Sequence, residues 1–290
     1  MNKKKHVILD HPILGYFILI VFCYIINSLF SVIDKLIAGV LPGYGQEMDF
    51  VGNKVVVANG VGTAIGSLCS VLLFFIWFRG FRGEYKGILK KKGLLVGLLM
   101  VAPLLVIHFT GSIVCMLSVG TTSVFLAFLK SSAPGFSEEV IFRGLGVANY
   151  MRRAKEEKQI WIIFWLSSIL FGAIHLFNIF AGGDPITVVL QSLYAMGIGM
   201  LLATAYLRTG NLWPAIIAHW SIDFVEFIRK DLGEASGIMK GMLLGDWINI
   251  VGGILAGVLA LVLMNKKHLP EIMEIWKDKW SETNTNDARQ

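Results

Sequence analysis

The chain has 290 residues, 55% of them hydrophobic and only 16% charged, with a net charge of +6. A soluble domain carries about a quarter charged residues, so this composition excludes a water-soluble globule. No nucleic-acid motif accompanies the positive balance, which fits loops facing an anionic membrane leaflet.

Lys3-Lys4-Lys5 precedes an apolar run from about Ile13 to Phe30. No small-x-small cleavage site follows closely, so the run reads as an uncleaved first span. Apolar stretches fall at about 12–33, 55–78, 93–117, 134–151, 159–177, 184–207, 212–230 and 243–264. A run of about 20 apolar residues crosses a bilayer. The pattern therefore predicts an all-α polytopic membrane helix bundle of about eight transmembrane helices. There is no polar linker, low-complexity tract or repeat, so residues 1–290 read as a single membrane domain. The segment 118–132 has three readings: an extension of the third helix, a short embedded helix, or a turn before Pro134. Cys23, Cys69 and Cys115 lie far apart in apolar runs and indicate neither a disulfide framework nor a cysteine metal site.

Placing the N-terminus in the cytoplasm puts nineteen of the 26 Lys and Arg residues in cytoplasmic loops or tails. The positive-inside rule thus favours a multi-pass protein with both termini cytoplasmic.

An ionisable side chain within a span is costly and marks a functional site by default. The ones that stand out within the predicted spans are His108, Glu138, Glu139, Arg143, His175, His219, Asp223 and Glu226. Glu139 and Arg143 are four apart and share a helix face. Glu138 points about 100° away and has no partner in its own helix, which suits a general base or acid. His175 stands on an apolar helix, with Asn178 three residues on, placed to orient the imidazole or contact a substrate. His219 and Asp223 share a face at i and i+4, the spacing of a metal-binding pair or of a hydrogen-bonded acid–base pair. Zinc is commonly held by such donors with one position left for water. Glu226 lies roughly on the same side but near a span end beside Arg229 and Lys230, and reads as a solvated end residue. His108 has no acidic partner nearby and reads as structural. Three helices thus carry polar groups that must converge inside the bundle, because lipid-facing placement would strand them.

The ordered motifs Glu138-Glu139…Arg143, Phe171…His175 and His219…Asp223 resemble the CAAX protease and bacteriocin-processing family, also called Abi, whose best-known branch is the type II CAAX prenyl endopeptidases. The resemblance covers about 134–230. It implies an eight-helix bundle with a catalytic cavity open to membrane and cytoplasm, and a membrane-associated or prenylated peptide as substrate. It also implies catalytic roles for Glu138 as water activator and for His175, His219 and Asp223, with Glu139 and Arg143 supporting. Asp223 stands where the prenyl endopeptidases have asparagine. Asparagine donates to an oxyanion and an ionised aspartate does not, so the departure leans toward metal ligation by His175, His219 and Asp223, with zinc the best guess, or toward a protonated aspartate. A metal-free glutamate mechanism remains the other form. The family also implies a bacterial cell membrane. Two other readings stand beside the intramembrane protease: a non-catalytic immunity or scaffold protein, and a proton-coupled transporter.

Overall fold

The computed structural model describes residues 10–40, 47–50, 53–56, 65–69, 71–72, 93–118, 121–180, 182–231, 237–239 and 242–287. They form a helical bundle. Its helices are α1 (Pro12–Val40), α2 (Leu94–Ser118), α3 (Thr121–Glu139), α4 (Ala148–Met151), α5 (Glu157–Ala173), α6 (Pro185–Thr209), α7 (Trp213–Asp231), α8 (Leu244–Leu263) and α9 (Leu269–Asp287). Two short antiparallel hairpins, Glu47–Phe50 with Asn53–Val56 and Gly237–Met239 with Met242–Leu243, accompany the helices.

The segment 118–132 is resolved in favour of a helix of its own. α3 starts at Thr121 and runs through Pro134 without a break. Glu138 and Glu139 therefore sit at the C-terminal end of α3, not near the start of a helix opened by Pro134. The chain continues as a π-helical segment, Val140–Val147, in which every residue is buried. Single π turns inside α-helices are rare and frequently occur at functional sites.

α6 is the centre of the bundle and packs against α2, α5, α7, α8 and α9. Its ends are set by local chemistry. Asp184 caps the start by accepting from the Thr187 N–H at 2.9 Å, with Pro185 as the first helical residue. Gly210 ends the helix in the left-handed region at φ 65°. Small residues let the helices approach closely, as in membrane bundles generally. A Cβ at Gly197 would collide with the Gly253 backbone of α8, and one at Gly135 of α3 would stand 2.7 Å from the Trp220 Cα of α7.

The stretches Pro12–Phe30, Glu157–Ile179 and Pro185–Thr209 are long and apolar enough to cross a bilayer. The pair Trp247–Leu263 and Lys266–Lys279, bent by 60°, would make a fourth span. Among the described residues, length and composition thus support three to four spans where the sequence predicts about eight. Most of the predicted span 55–78 lies outside the described residues. α3 and α7 carry the ionisable groups of the site and are too polar to pass as spans on composition.

The chain end folds back as α9. Trp276 is buried and donates from Nε1 to the Leu207 carbonyl at 2.9 Å. Lys279 donates to the Gly210 carbonyl and to the Tyr206 hydroxyl, each at 3.0 Å, at the C-terminus of α6. A cation is favoured at that end of a helix.

Candidate active site

The site is built around Arg143, a fully buried cation in the π segment. Its guanidinium donates to Glu139 Oε1 at 2.8 Å and to the Gly199 carbonyl of α6 at 3.2 Å. It also lies 4.2 Å from the ring centre of Phe171 on α5. One side chain thus ties together the end of α3, α5 and α6. Arginine suits this post because its planar fork bonds and stacks at once. Gly199 makes room for it, since a Cβ there would stand 3.1 Å from the guanidinium nitrogen and 3.0 Å from Phe171.

Glu139 is the hinge of the arrangement. The same Oε1 that receives Arg143 also accepts from His219 Nδ1 on α7 at 2.9 Å. A carboxylate only accepts, so that nitrogen carries the hydrogen. The other ring nitrogen, Nε2, stands 3.5 Å from Asp223 Oδ2. His219 is therefore clamped between two carboxylates, one from each side.

His175 lies in a tight 3-10 turn, Ile174–Ile179, that continues α5. Its Nδ1 donates to the Phe171 carbonyl at 2.9 Å, which leaves Nε2 for the cavity. Phe171 packs edge-on against both histidines, with ring centres 5.6 Å from His175 and 5.4 Å from His219.

A cavity of about 220 Å³ opens at this point. His175, His219 and Asp223 share its wall with Gln191, Glu226 and Asn249, while Phe171, Ile198, Ile222 and Phe227 supply apolar surface. Glu138 is half-buried and not on the cavity lining. Its neighbouring charges are His219, Glu139 and Arg143.

Three residues stand differently from their sequence reading. Asn178 does not reach His175: its amide donates to Gln191 on α6 at 2.9 Å, and Gln191, not Asn178, lines the cavity. Glu226 is not a solvated end residue, because it lines the cavity and accepts from Asn249 at 2.5 Å. His108 lacks an acid on its own helix but bonds Asn249 Oδ1 at 3.1 Å and is joined through that amide to Glu226. Asn249 and Gln191 escaped sequence reading because a lone amide in an apolar helix carries no spacing signal.

The donor set does not fit a resident metal ion. Both nitrogens of His219 face carboxylates. Among the described residues no group of three or more His, Cys, Asp or Glu side chains is arranged to hold one ion. As placed here, His175, His219 and Asp223 share the cavity wall without converging on one point as a zinc site would require.

No curated protein and no solved structure matches the chain. The family model described as type II CAAX prenyl endopeptidase Rce1-like matches residues 119–225, the stretch that supplies Glu138, Glu139, Arg143, His175, His219 and Asp223. Over that segment the chain is similar to the type II CAAX prenyl endopeptidases.

Proposed function

We propose that this protein is an intramembrane endopeptidase that hydrolyses a peptide bond of a lipidated or membrane-associated peptide, with Glu138 activating the water. The observation that carries the reading is the Glu139–His219–Asp223 clamp beside His175 on one cavity wall, within the segment matched by the prenyl endopeptidase family.

The chemistry follows from what each group is left to do. Glu139 is committed to Arg143 and His219, so it is a positioning residue. Among the described residues Glu138 has no hydrogen-bond partner, and it adjoins His219 in charge. In this scheme a water held between Glu138 and His175 Nε2 loses a proton to Glu138. The oxygen attacks the peptide carbonyl. His219, oriented by Glu139 and Asp223, stabilises the oxyanion as charge develops there. On collapse the carbon–nitrogen bond breaks, and the proton held by Glu138 passes to the leaving amine. The apolar side of the cavity receives hydrocarbon, which fits a prenylated or membrane-embedded substrate.

Glu138→Ala should abolish cleavage of an S-farnesylated reporter peptide while leaving helicity and thermal stability in detergent unchanged. Wild-type turnover in that variant sinks the scheme.

A further inference from the structure

Glu226, Asn249 and His108 all lie outside the segment that the family model matches. They come from three helices, α7, α8 and α2, and form one hydrogen-bonded line. His108 Nδ1 bonds the Leu104 carbonyl at 2.9 Å, His108 Nε2 meets Asn249 Oδ1 at 3.1 Å, and Asn249 Nδ2 donates to Glu226 Oε1 at 2.5 Å. The inner end of the line is sealed: His108 is 0% exposed. Gly252 lies against its ring, where a Cβ would come within 2.7 Å of Cε1. The outer end opens on the cavity, because both Asn249 and Glu226 line it.

The direction of the line matters. The Leu104 carbonyl and Asn249 Oδ1 both only accept, so His108 donates from Nδ1 and from Nε2 and the ring is the imidazolium, with the Glu226 carboxylate at the other end of the line. Asn249 turns its oxygen to the histidine and its NH2 to Glu226, so the line ends on a hydrogen-bond acceptor at the cavity wall. A carboxylate accepts at about four lone-pair sites, so the bond from Asn249 does not exhaust Glu226 as an acceptor.

We propose that Glu226 is the substrate-orienting carboxylate of this cavity, accepting a hydrogen bond from an N–H donor of the bound peptide, with Asn249 and His108 as its positioning residues. This rests on the peptidase reading above. The donor is a backbone amide or a basic side chain, which share the same chemistry. Its place along the peptide follows from helix geometry. Asp223 and Glu226 are three residues apart on α7, about 4.5 Å along the axis at 1.5 Å per residue. An extended peptide advances about 3.3–3.6 Å per residue. An N–H held at Glu226 therefore lies within about one residue of a carbonyl held near Asp223 and His219. The apolar wall of Phe171, Ile198, Ile222 and Phe227 takes the hydrocarbon, and Glu226 fixes the register of the backbone.

The test is binding of S-farnesylated peptides to the full-length protein carrying Glu138→Ala, so that no peptide is consumed. One series is N-methylated at each backbone amide in turn. A second places lysine or norleucine at each residue. The expected result is about a tenfold loss at one N-methylated position, identifying a backbone donor, or about a tenfold preference for lysine at one position, identifying a side chain; a hydrogen bond to a charged group is of that size. Adding Glu226→Met or Asn249→Ala should flatten that ratio. Adding His108→Gln, which keeps a donor toward Asn249, should retain most of it. The ratio compares two ligands on one preparation, so a partly unfolded variant does not mimic the effect. No discriminating position, or discrimination unchanged by Glu226→Met, overturns the proposal. Discrimination through Glu226 in a protein whose Glu138-intact form never cleaves keeps the proposal and removes the peptidase reading. Cleavage that ignores Glu226 does the reverse.

Discussion

At the scale of single residues, the site depends on one buried charge pair. Arg143 and Glu139 are both fully buried, 2.8 Å apart. Such a pair contributes little net stability compared with apolar packing, but removing one partner strands the other charge. Arg143→Met should therefore lower unfolding stability by about 3–5 kcal/mol, read by thermal or denaturant unfolding in detergent, and should abolish activity because His219 loses a correctly held Glu139. A stability change under about 1 kcal/mol would mean that the ion pair is not the centre of the site. Glu138 is the opposite case, since no scaffold role is visible for it among the described residues. Its replacement should affect turnover and not folding.

At the scale of elements, the π segment and the end of α3 carry the functional geometry. Val140–Val147 is buried throughout, and Gly146 accommodates the ring of Tyr16 from α1, whose hydroxyl donates to Ser167 at 3.1 Å. A segment held from both sides sustains an irregular backbone that an exposed helix would relax. The start of α6 makes a separate prediction. Hydrogen bonds from the Thr187 backbone N–H and hydroxyl hold the Asp184 carboxyl below the usual carboxylate range. A group depressed in the folded state stabilises fully above its unfolded value and loses that contribution as pH falls through the folded one. Hydrogen exchange at the Thr187 amide should accordingly speed up in acid beyond the intrinsic trend, and Asp184→Asn should remove that acid dependence. A Thr187 amide whose protection ignores pH in the native protein would show that the cap does not hold this helix end.

At the scale of the whole molecule, the bundle places hydrocarbon outside and polar groups inside, as a bilayer requires. Ile13, Leu14, Val21 and Leu29 of α1 and Val251, Ile254 and Val258 of α8 are exposed large apolar residues. Glu139, Arg143, His108 and Asn249 are buried. The metal question belongs to this scale too. Detergent-purified protein active on a farnesylated peptide should contain no stoichiometric zinc by mass spectrometry. Near-stoichiometric zinc that disappears in a His175→Ala/His219→Ala double variant would restore the two histidines as ligands and replace the glutamate-only scheme.

The sequence alone determined that this is a helical membrane protein and which polar residues had to converge, because charge inside an apolar run has few placements the bilayer tolerates. It also determined the Glu139–Arg143 pair and the His219–Asp223 pairing, which depend only on the i, i+4 geometry of a helix. Tertiary structure decided what no spacing within one helix contains. It turned Glu139 toward His219, eighty residues away along the chain, and set Arg143 on Phe171 and the Gly199 carbonyl. It sent Asn178 to Gln191 instead of His175. It also joined His108 to Glu226 through an amide on a third helix. Each of these contacts depends on how closely and at what rotation two helices meet, and that is fixed by glycines and side-chain volumes distributed over the whole bundle.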